Sequence, residues 1–376
     1  MPDNCRRIPL LSAAEEGRGS AAALSLGGKD FDPNMTNRGE QTSPSLEAND
    51  GRDGVVKQLL GKKDLQPDMS DHRGRTPLLW AANFGRDEVV KLLLGRKDVN
   101  ADMPDSDGRT PLSYAAGYGH YAIVKLLLEQ PGINANTIDR FGRTPLLYAS
   151  QRGFHGVARL LLEREEVTAD ITDNYGETPL SLAAQFGGYR VVEQLLRRKE
   201  VTAGMSNGLG ETPLIYAADY GDDRVVKLLL EREEVDPNLR DGYERTALFR
   251  AAQRGFDQVV QLLLEREEII PDIPGLYGQT PLACAANYGF NGVVKLLLER
   301  EDVNPNMTDR AGRTPLSLAA EGGHDVVLQS LLGREDVNPN IPDNDGRTPL
   351  WWADYSGCQG AVNLLQDRQF SKPNTF

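Results

Sequence analysis

An all-α repeat solenoid, made of stacked helix-turn-helix units with projecting loops, is the fold class this sequence predicts. Three observations predict it. Thr76, Thr110, Thr144, Thr178, Thr212, Thr246, Thr280, Thr314 and Thr348 each open a T-P-L triplet (T-A-L at Thr246), thirty-four residues apart. A fixed period of that length marks a repeat architecture. A glycine falls nine residues after each threonine, and an apolar stripe such as Val89, Val90, Leu92, Leu93 and Leu94 follows it. No such unit can bury its own apolar faces, so the units must stack.

In GRTPLLWAANFG, Thr76 suits the N-cap and Pro77 the first helical position, where a missing N–H costs nothing. Gly85 suits the left-handed residue that ends the helix, which is therefore about two to three turns long. In RDEVVKLLLGRKD, Asp87 is expected to cap a second, antiparallel helix. The stretch VNADMPDSDGR reads as an extended arm with a turn, rich in Asn, Asp, Gly and Pro. Toward the N-terminus the period continues through Thr42, in the degraded TSPSLEANDG, to Ile8 in IPLLSAAEEG, making about eleven units. Residues 1–376 are read as one array: 1–75 degenerate repeats, 76–347 regular repeats, 348–376 a capping repeat and tail. The degraded second unit is expected to fray and to be cut early, before about residue 70.

The chain carries a formal charge of −13 and is 39% hydrophobic, too apolar for a disordered segment. The acidic balance disfavours nucleic acid and anionic membranes as partners. No run of eighteen apolar residues occurs, and MPDNCRRIPLLSAAEEG lacks the apolar core of a secretory signal. Cys5, Cys284 and Cys358 lie far apart, as free thiols in a reducing compartment would. The expected location is cytoplasmic or nuclear, not secreted.

The recurring T-P-L-x-x-A-A-x-x-G core, followed by V-V-x-L-L-L and D-V-N, resembles the ankyrin repeat. The resemblance implies L-shaped units, loop or β-hairpin fingers, and a concave groove lined by the first helices. The long, regular array resembles those of filamentous fungi. Departures are visible: units of thirty-four residues, and no His after T-P-L, where Leu79, Ser113, Leu147, Ser181, Ile215, Phe249, Ala283, Ser317 and Trp351 stand instead.

On the first helix, Leu78, Ala81 and Ala82 form one stacking face by their i, i+3, i+4 spacing. Trp80 and Phe84 share another face, which looks toward the groove by helical geometry and by the resemblance. Along the array that face reads Trp80/Phe84, Tyr114/Tyr118, Tyr148/Arg152, Leu182/Phe186, Tyr216/Tyr220, Arg250/Arg254 and Cys284/Tyr288. It ends with Leu318/Gly322 and Trp352/Ser356. Finger turns add Phe141, Tyr175, Leu209, Tyr243 and Tyr277 at one shared position. Tyr, Trp and Arg dominate interface hot spots, so these positions are the candidate binding residues.

Arg250 and Arg254 sit in slots that hold apolar or aromatic residues in most other units, in a unit that also loses its proline at Ala247 and its turn glycine at Glu244. One reading is an anion clamp of two guanidiniums; the other is an ion pair with Asp219 or stacking on Tyr216, Tyr220 or Tyr288.

The sequence has no phosphate-binding Gly loop, no H-E-x-x-H, no nucleophile elbow and no C-x-x-C. His72, His120, His155 and His324 are scattered, so neither a metal nor a cofactor is expected. The glutamates and arginines of LLEREE read as a solvated surface with local ion pairs. The leading expectation is a non-catalytic interaction scaffold holding a protein or peptide in the groove. The alternative is a cofactor-free enzyme or small-molecule binder of specialised metabolism, in which Tyr216, Asp219, Tyr220, Arg250 and Arg254 would close with Tyr288 into one pocket.

Overall fold

The computed structural model describes residues 32–371, and side chains to 367. The first unit at Ile8, Cys5 and the last five residues lie outside the described residues. Twenty helices occur among them, in pairs. They are α1 (Ser43–Asp50) and α2 (Asp53–Leu60), α3 (Pro77–Asn83) and α4 (Asp87–Leu94), α5 (Pro111–Tyr118) and α6 (Tyr121–Leu128), α7 (Pro145–Gln151) and α8 (His155–Leu162). Next come α9 (Pro179–Gln185) and α10 (Tyr189–Leu196), α11 (Pro213–Tyr220) and α12 (Asp223–Leu230), α13 (Ala247–Arg254) and α14 (Asp257–Leu264). The last are α15 (Pro281–Tyr288) and α16 (Asn291–Leu298), α17 (Pro315–Glu321) and α18 (Asp325–Leu332), α19 (Pro349–Tyr355) and α20 (Gln359–Ser371). None is long and apolar enough to cross a membrane.

The residues form two compact units, divided through α9 and α10. One runs to Ala183 and takes in Glu193–Val201; the other holds Ala184–Val192 and Thr202 onward. In the first, α1, α3, α5 and α7 pack side by side, and so do α2, α4, α6 and α8. In the second, α11, α13, α15, α17 and α19 form one row, and α12, α14, α16, α18 and α20 the other. This is the expected all-α repeat solenoid.

The local signals act as read. Thr76 Oγ1 accepts from Leu79 N–H at 3.3 Å, and the same cap recurs at Thr110, Thr144, Thr212, Thr246, Thr280, Thr314 and Thr348. Thr42 makes it too, so the degraded TSPSLEANDG still folds as a helix pair. Losing proline at Ala247 leaves α13 starting in register, because the Thr246 cap alone sets it. Leu78, Ala81 and Ala82 are all but fully buried, as a stacking face requires. One expectation needs correcting: Asp87 is the first helical residue, not the cap, and α4 has no side-chain cap. It stands in the first turn, where the helix dipole favours a carboxylate. Only Asp222, ahead of α12, caps a second helix through its side chain among the described residues.

Each first helix ends near a left-handed glycine, from Gly51 to Gly357. The glycine is required twice over. Its φ is positive, and beneath most of these glycines a side chain from the next repeat plugs the space where a Cβ would point. Arg86 plugs against Gly51, His120 against Gly85, Phe154 against Gly119, Phe256 against Gly221, Phe290 against Gly255 and His324 against Gly289. A Cβ on those glycines would stand 2.7–2.9 Å from the plug. The donors among the plugs also close the preceding helix. His120 Nε2 bonds Asn83 O at 3.1 Å, His324 Nε2 bonds Asn287 O at 3.0 Å, and Arg86 Nε donates to Asn49 O at 3.0 Å.

The LLEREE stretches are more than a solvated surface. Arg164 does pair with Glu166, but its Nη1 also donates to Leu128 O, thirty-six residues back, at 3.0 Å. Arg96, Arg266 and Arg300 do the same to Leu60, Leu230 and Leu264. Each satisfies a carbonyl left open at the end of the preceding second helix.

The arms are stapled by asparagine. Asn136 Nδ2 donates to Glu166 O at 2.6 Å and its Oδ1 accepts from Thr168 N at 3.0 Å. Asn34, Asn238 and Asn306 make the same two bonds. Of the two finger forms expected, loop and hairpin, the structure has the loop. Thr36–Thr42 is the only isolated β-bridge among the described residues. Successive fingers are tied by single backbone bonds such as Asn174 N to Phe141 O, 2.9 Å, and Leu276 N to Tyr243 O, 3.1 Å.

Candidate functional site

The threonine cap fixes the rotational phase of every first helix, so its two aromatic slots take different environments. The first slot is covered. Tyr216, Cys284 and Trp352 are buried there, as are Leu182 and Leu318, while Trp80, Tyr114 and Tyr148 are half-buried. The second slot, one turn later, is open. Phe84, Tyr118, Phe186, Tyr220 and Tyr288 are each 44–57% exposed, and Arg152 and Arg254 are exposed too. At the fingertips Tyr175, Leu209, Tyr243 and Tyr277 are 54–74% exposed, whereas Phe141 lies half-buried under the Arg140 guanidinium.

The covered slot has a structural partner that the sequence reading missed. Nine residues before it stands a finger aspartate whose carboxylate closes the turn. Asp139 Oδ1 accepts from Phe141 N and Arg143 N, both at 2.9 Å. Its Oδ2 accepts from Tyr148 Oη at 2.5 Å and from Arg109 Nε, thirty residues back, at 3.3 Å. Asp105 takes Tyr114 Oη at 2.8 Å, and Asp343 takes Trp352 Nε1 at 3.1 Å. Burial, reinforced by the Asp105 carboxylate, pushes the Tyr114 hydroxyl up to about 12, and burial reinforced by Asp139 raises Tyr148. Both tyrosines therefore stay protonated donors. The spacing D-x-x-x-x-x-x-x-x-Y was available in the sequence as the signal.

The unit around Arg250 rearranges this network. Glu211 stands where Arg109 stands in the regular step, and Arg250 stands where Tyr148 does. The cation has moved to the other partner. Arg250 Nη2 donates to Asp241 Oδ2 at 3.1 Å, the finger contact a tyrosine would make, and to Glu211 Oε1 at 3.2 Å. Its Nη1 donates to Asp219 Oδ1 at 3.2 Å. Arg254 grips the same Asp219 with Nε at 3.1 Å and Nη2 at 3.3 Å. The Arg250 side chain is only 11% exposed, and Asp241 is fully covered. Burial raises the Asp241 carboxyl, but the Arg245 hydrogen bonds overcome it and hold it below the usual range. Tyr216 Oη donates to Glu211 Oε2 at 2.8 Å and accepts from Asn207 Nδ2 at 2.9 Å.

The ion pair with Asp219 is thus present for both arginines. An incoming anion would have to displace three carboxylates to take Arg250. Of the six residues that an enclosed pocket would gather, Tyr220, Arg254 and Tyr288 remain more than half exposed. Cys284 is buried, hydrogen-bonds Gln279 at 3.5 Å, and burial pushes its thiol up to about 12. Such a thiol holds roughly a thousandth of the thiolate of a free cysteine at equal pH. Timed alkylation of the folded protein at pH 8, read by peptide mass spectrometry, should therefore label Cys358 and spare Cys284; equal labelling would contradict this burial. One exposed aromatic pair was also missed: Trp351 and Tyr355 stack at 4.9 Å on α19, one residue off the expected slots.

A family model for ankyrin repeats, in copies of three, matches residues 45–139, 123–205, 182–273, 214–309 and 282–375. The chain belongs to the ankyrin-repeat family. A search of curated proteins returned no match. Ankyrin repeats generally mediate protein–protein interaction. In this ankyrin array the polar tips in the covered slot are bonded within the array, whereas the second-slot aromatics and most fingertips are exposed.

Proposed function

We propose that this chain is a non-catalytic scaffold that holds a protein or peptide partner on its exposed ring positions. The partition of aromatics carries the reading. The polar tips of Tyr114, Tyr148, Tyr216 and Trp352 are bonded within the array, whereas Phe186, Tyr220, Tyr243, Tyr277 and Tyr288 present their rings to solvent. Tyr288 stacks on Phe290 at 5.9 Å and Arg245 lies 4.5 Å over the Tyr243 ring, yet both rings stay more than half exposed; periodic exposed rings cost solubility, and binding is the function that best explains them. Arg254 stands between Tyr220 and Tyr288 in the same row, with its charge paired to Asp219.

The test is affinity purification from the native cell, wild type against a variant with Tyr220→Ala, Tyr243→Ala, Tyr277→Ala and Tyr288→Ala. Exposed truncations of this kind change stability by only about 0.5 kcal/mol each, so the variant stays folded. The expected result is a protein partner held by wild type and lost by the variant. A variant that retains every wild-type partner overturns the reading. A small molecule lost in its place, with no protein partner, favours the ligand-binding alternative.

A further inference from the structure

The plugs that fill the space beneath most helix-ending glycines fail beneath Gly187, and the plug position thirty-five residues after Gly153 is itself a glycine, Gly188. Asp222 occupies the plug position beneath Gly187, and it is too short. A Cβ on Gly187 would find its nearest atom, Asp222 Oδ2, at 4.0 Å, against 2.7–2.9 Å for the arginine, histidine and phenylalanine plugs. A cleft of about 500 Å³ opens there, lined by Gln185, Phe186, Tyr220, Asp222, Asp223 and Arg224. Phe186 and Tyr220 are 53% and 56% exposed.

We propose that this cleft is a socket for an arginine side chain of a protein partner. The chain contains its own precedent. Arg86 fills the corresponding space beneath Gly51 with its Cδ, Nε and guanidinium carbon, and donates to Asn49 O. Gln185 holds the place of Asn49, two residues before the glycine. An arginine entering from outside meets that same carbonyl position; Tyr220 and Asp223 match Phe84 and Asp87 beside Arg86, and Phe186 stands where Asp50 does. Two half-exposed aromatic rings, Phe186 and Tyr220, line the cleft, and aromatic rings attract a planar cation. Two carboxylates, Asp222 and Asp223, outnumber the one cation of the lining. That cation, Arg224, lies 4.8 Å over the Tyr189 ring with its side chain 65% exposed, and its Nε is 3.8 Å from Asp222 Oδ1. The socket is therefore net anionic, aromatic-lined and large enough to admit a guanidinium.

This inference rests on the protein-binding reading, and the experiment probes the socket without needing the natural partner. Backbone amide resonances of the full chain are followed while N-acetyl-arginine amide is added, with N-acetyl-citrulline amide as the neutral isostere. Saturable shifts at Gly187, Tyr220 and Asp222 are expected for arginine, with citrulline at least about tenfold weaker. Asp222→Phe supplies the missing plug and should abolish the shifts. Because Asp222 Oδ1 also caps α12 by accepting from Val225 N at 3.2 Å, a second variant is needed. Asp223→Asn leaves that cap intact and should weaken arginine binding several-fold. Equal binding of citrulline, shifts that persist in a folded Asp222→Phe protein, or unchanged affinity in Asp223→Asn would each overturn the socket. If the socket fails while the ring variant still loses a partner, the scaffold reading stands without it. If the ring variant keeps its partners, the scaffold reading itself falls.

Discussion

Arg250→Leu should destabilise the array by about 3 kcal/mol, the lower end for breaking a buried ion pair, and Arg250→Tyr with Glu211→Arg should restore most of the loss. Location sets the size of the effect. An exposed pair such as Arg197–Glu193, at 71% and 39% exposure, is worth about 0–1 kcal/mol. Arg250 is 11% exposed, and its partners Glu211, Asp219 and Asp241 are 16%, 13% and 0% exposed. Removing the guanidinium leaves those carboxylates without their shared cation, although Arg254 still holds Asp219 and Arg245 still holds Asp241. Those two remaining pairs place the loss at the lower end. The paired replacement rebuilds the regular step. A tyrosine at 250 can donate to Asp241 as Tyr148 does to Asp139, and an arginine at 211 can reach Asp241 as Arg109 reaches Asp139. Urea unfolding of wild type, single and double variants measures both effects. A single variant within about 1 kcal/mol of wild type, or a double variant no better than the single, would refute this account of the arginine.

What the sequence disclosed depended on how far apart the cooperating residues lie. Thr76, Pro77 and Gly85 act within one helix, so its cap and its turn are legible in a stretch of ten residues. The stacking alanines followed from helical spacing alone. The division of aromatics into covered Tyr148 and open Tyr118 did not follow, because it depends on a finger aspartate nine residues before the ring and an arginine from the preceding repeat. Arg250 looked like an exception to an apolar slot. It proves to be half of a charge exchange whose other half, Glu211, lies thirty-nine residues away. Likewise Gly275 lacks the finger aspartate in the very unit where Cys284 lacks a hydroxyl to bond it, and the Phe249 ring of the preceding repeat stands 3.1 Å from where a Cβ on Gly275 would be. Such compensations cross the repeat boundary, so a reading made one repeat at a time shows only the broken half.

Replacing Asp68, Asp102 and Asp272 together by asparagine should stabilise the array by about 2–4 kcal/mol at pH 7, near one hydrogen bond's worth per site. These aspartates hold the arm position where Asn34, Asn136, Asn238 and Asn306 each donate to a carbonyl and accept from a backbone N–H. The accepting half survives: Oδ2 of Asp68, Asp102 and Asp272 takes Asn100 N, Asn134 N and Asn304 N at 2.7, 3.1 and 2.7 Å. The donating half is lost. Oδ1 of each is buried with no hydrogen-bond partner, because a carboxylate has no hydrogen to offer. Burial raises all three carboxyls above the ordinary value of 3.8; the backbone N–H bonds oppose it, and nearby Asp98 and Asp302 add to it for Asp68 and Asp272, while Arg334 opposes it at Asp272. The sign follows. A carboxyl raised in the folded state favours folding only while it is protonated, so that contribution is complete below pH 3.8 and is lost as pH rises through the raised value. At pH 7 all three carry the full penalty. The asparagine variant should therefore gain most at neutral pH, and the gain should shrink as pH falls toward 4, where a protonated aspartate can donate as asparagine does. The three sites lie in separate repeats, so their effects should add. Denaturant unfolding of both proteins from pH 7 to pH 4 reads the difference directly, since the acid sensitivity they share cancels. A gain that is absent at pH 7, or that stays constant down to pH 4, would mean the orphaned oxygens are solvated and the arms are not held as the asparagine staples imply.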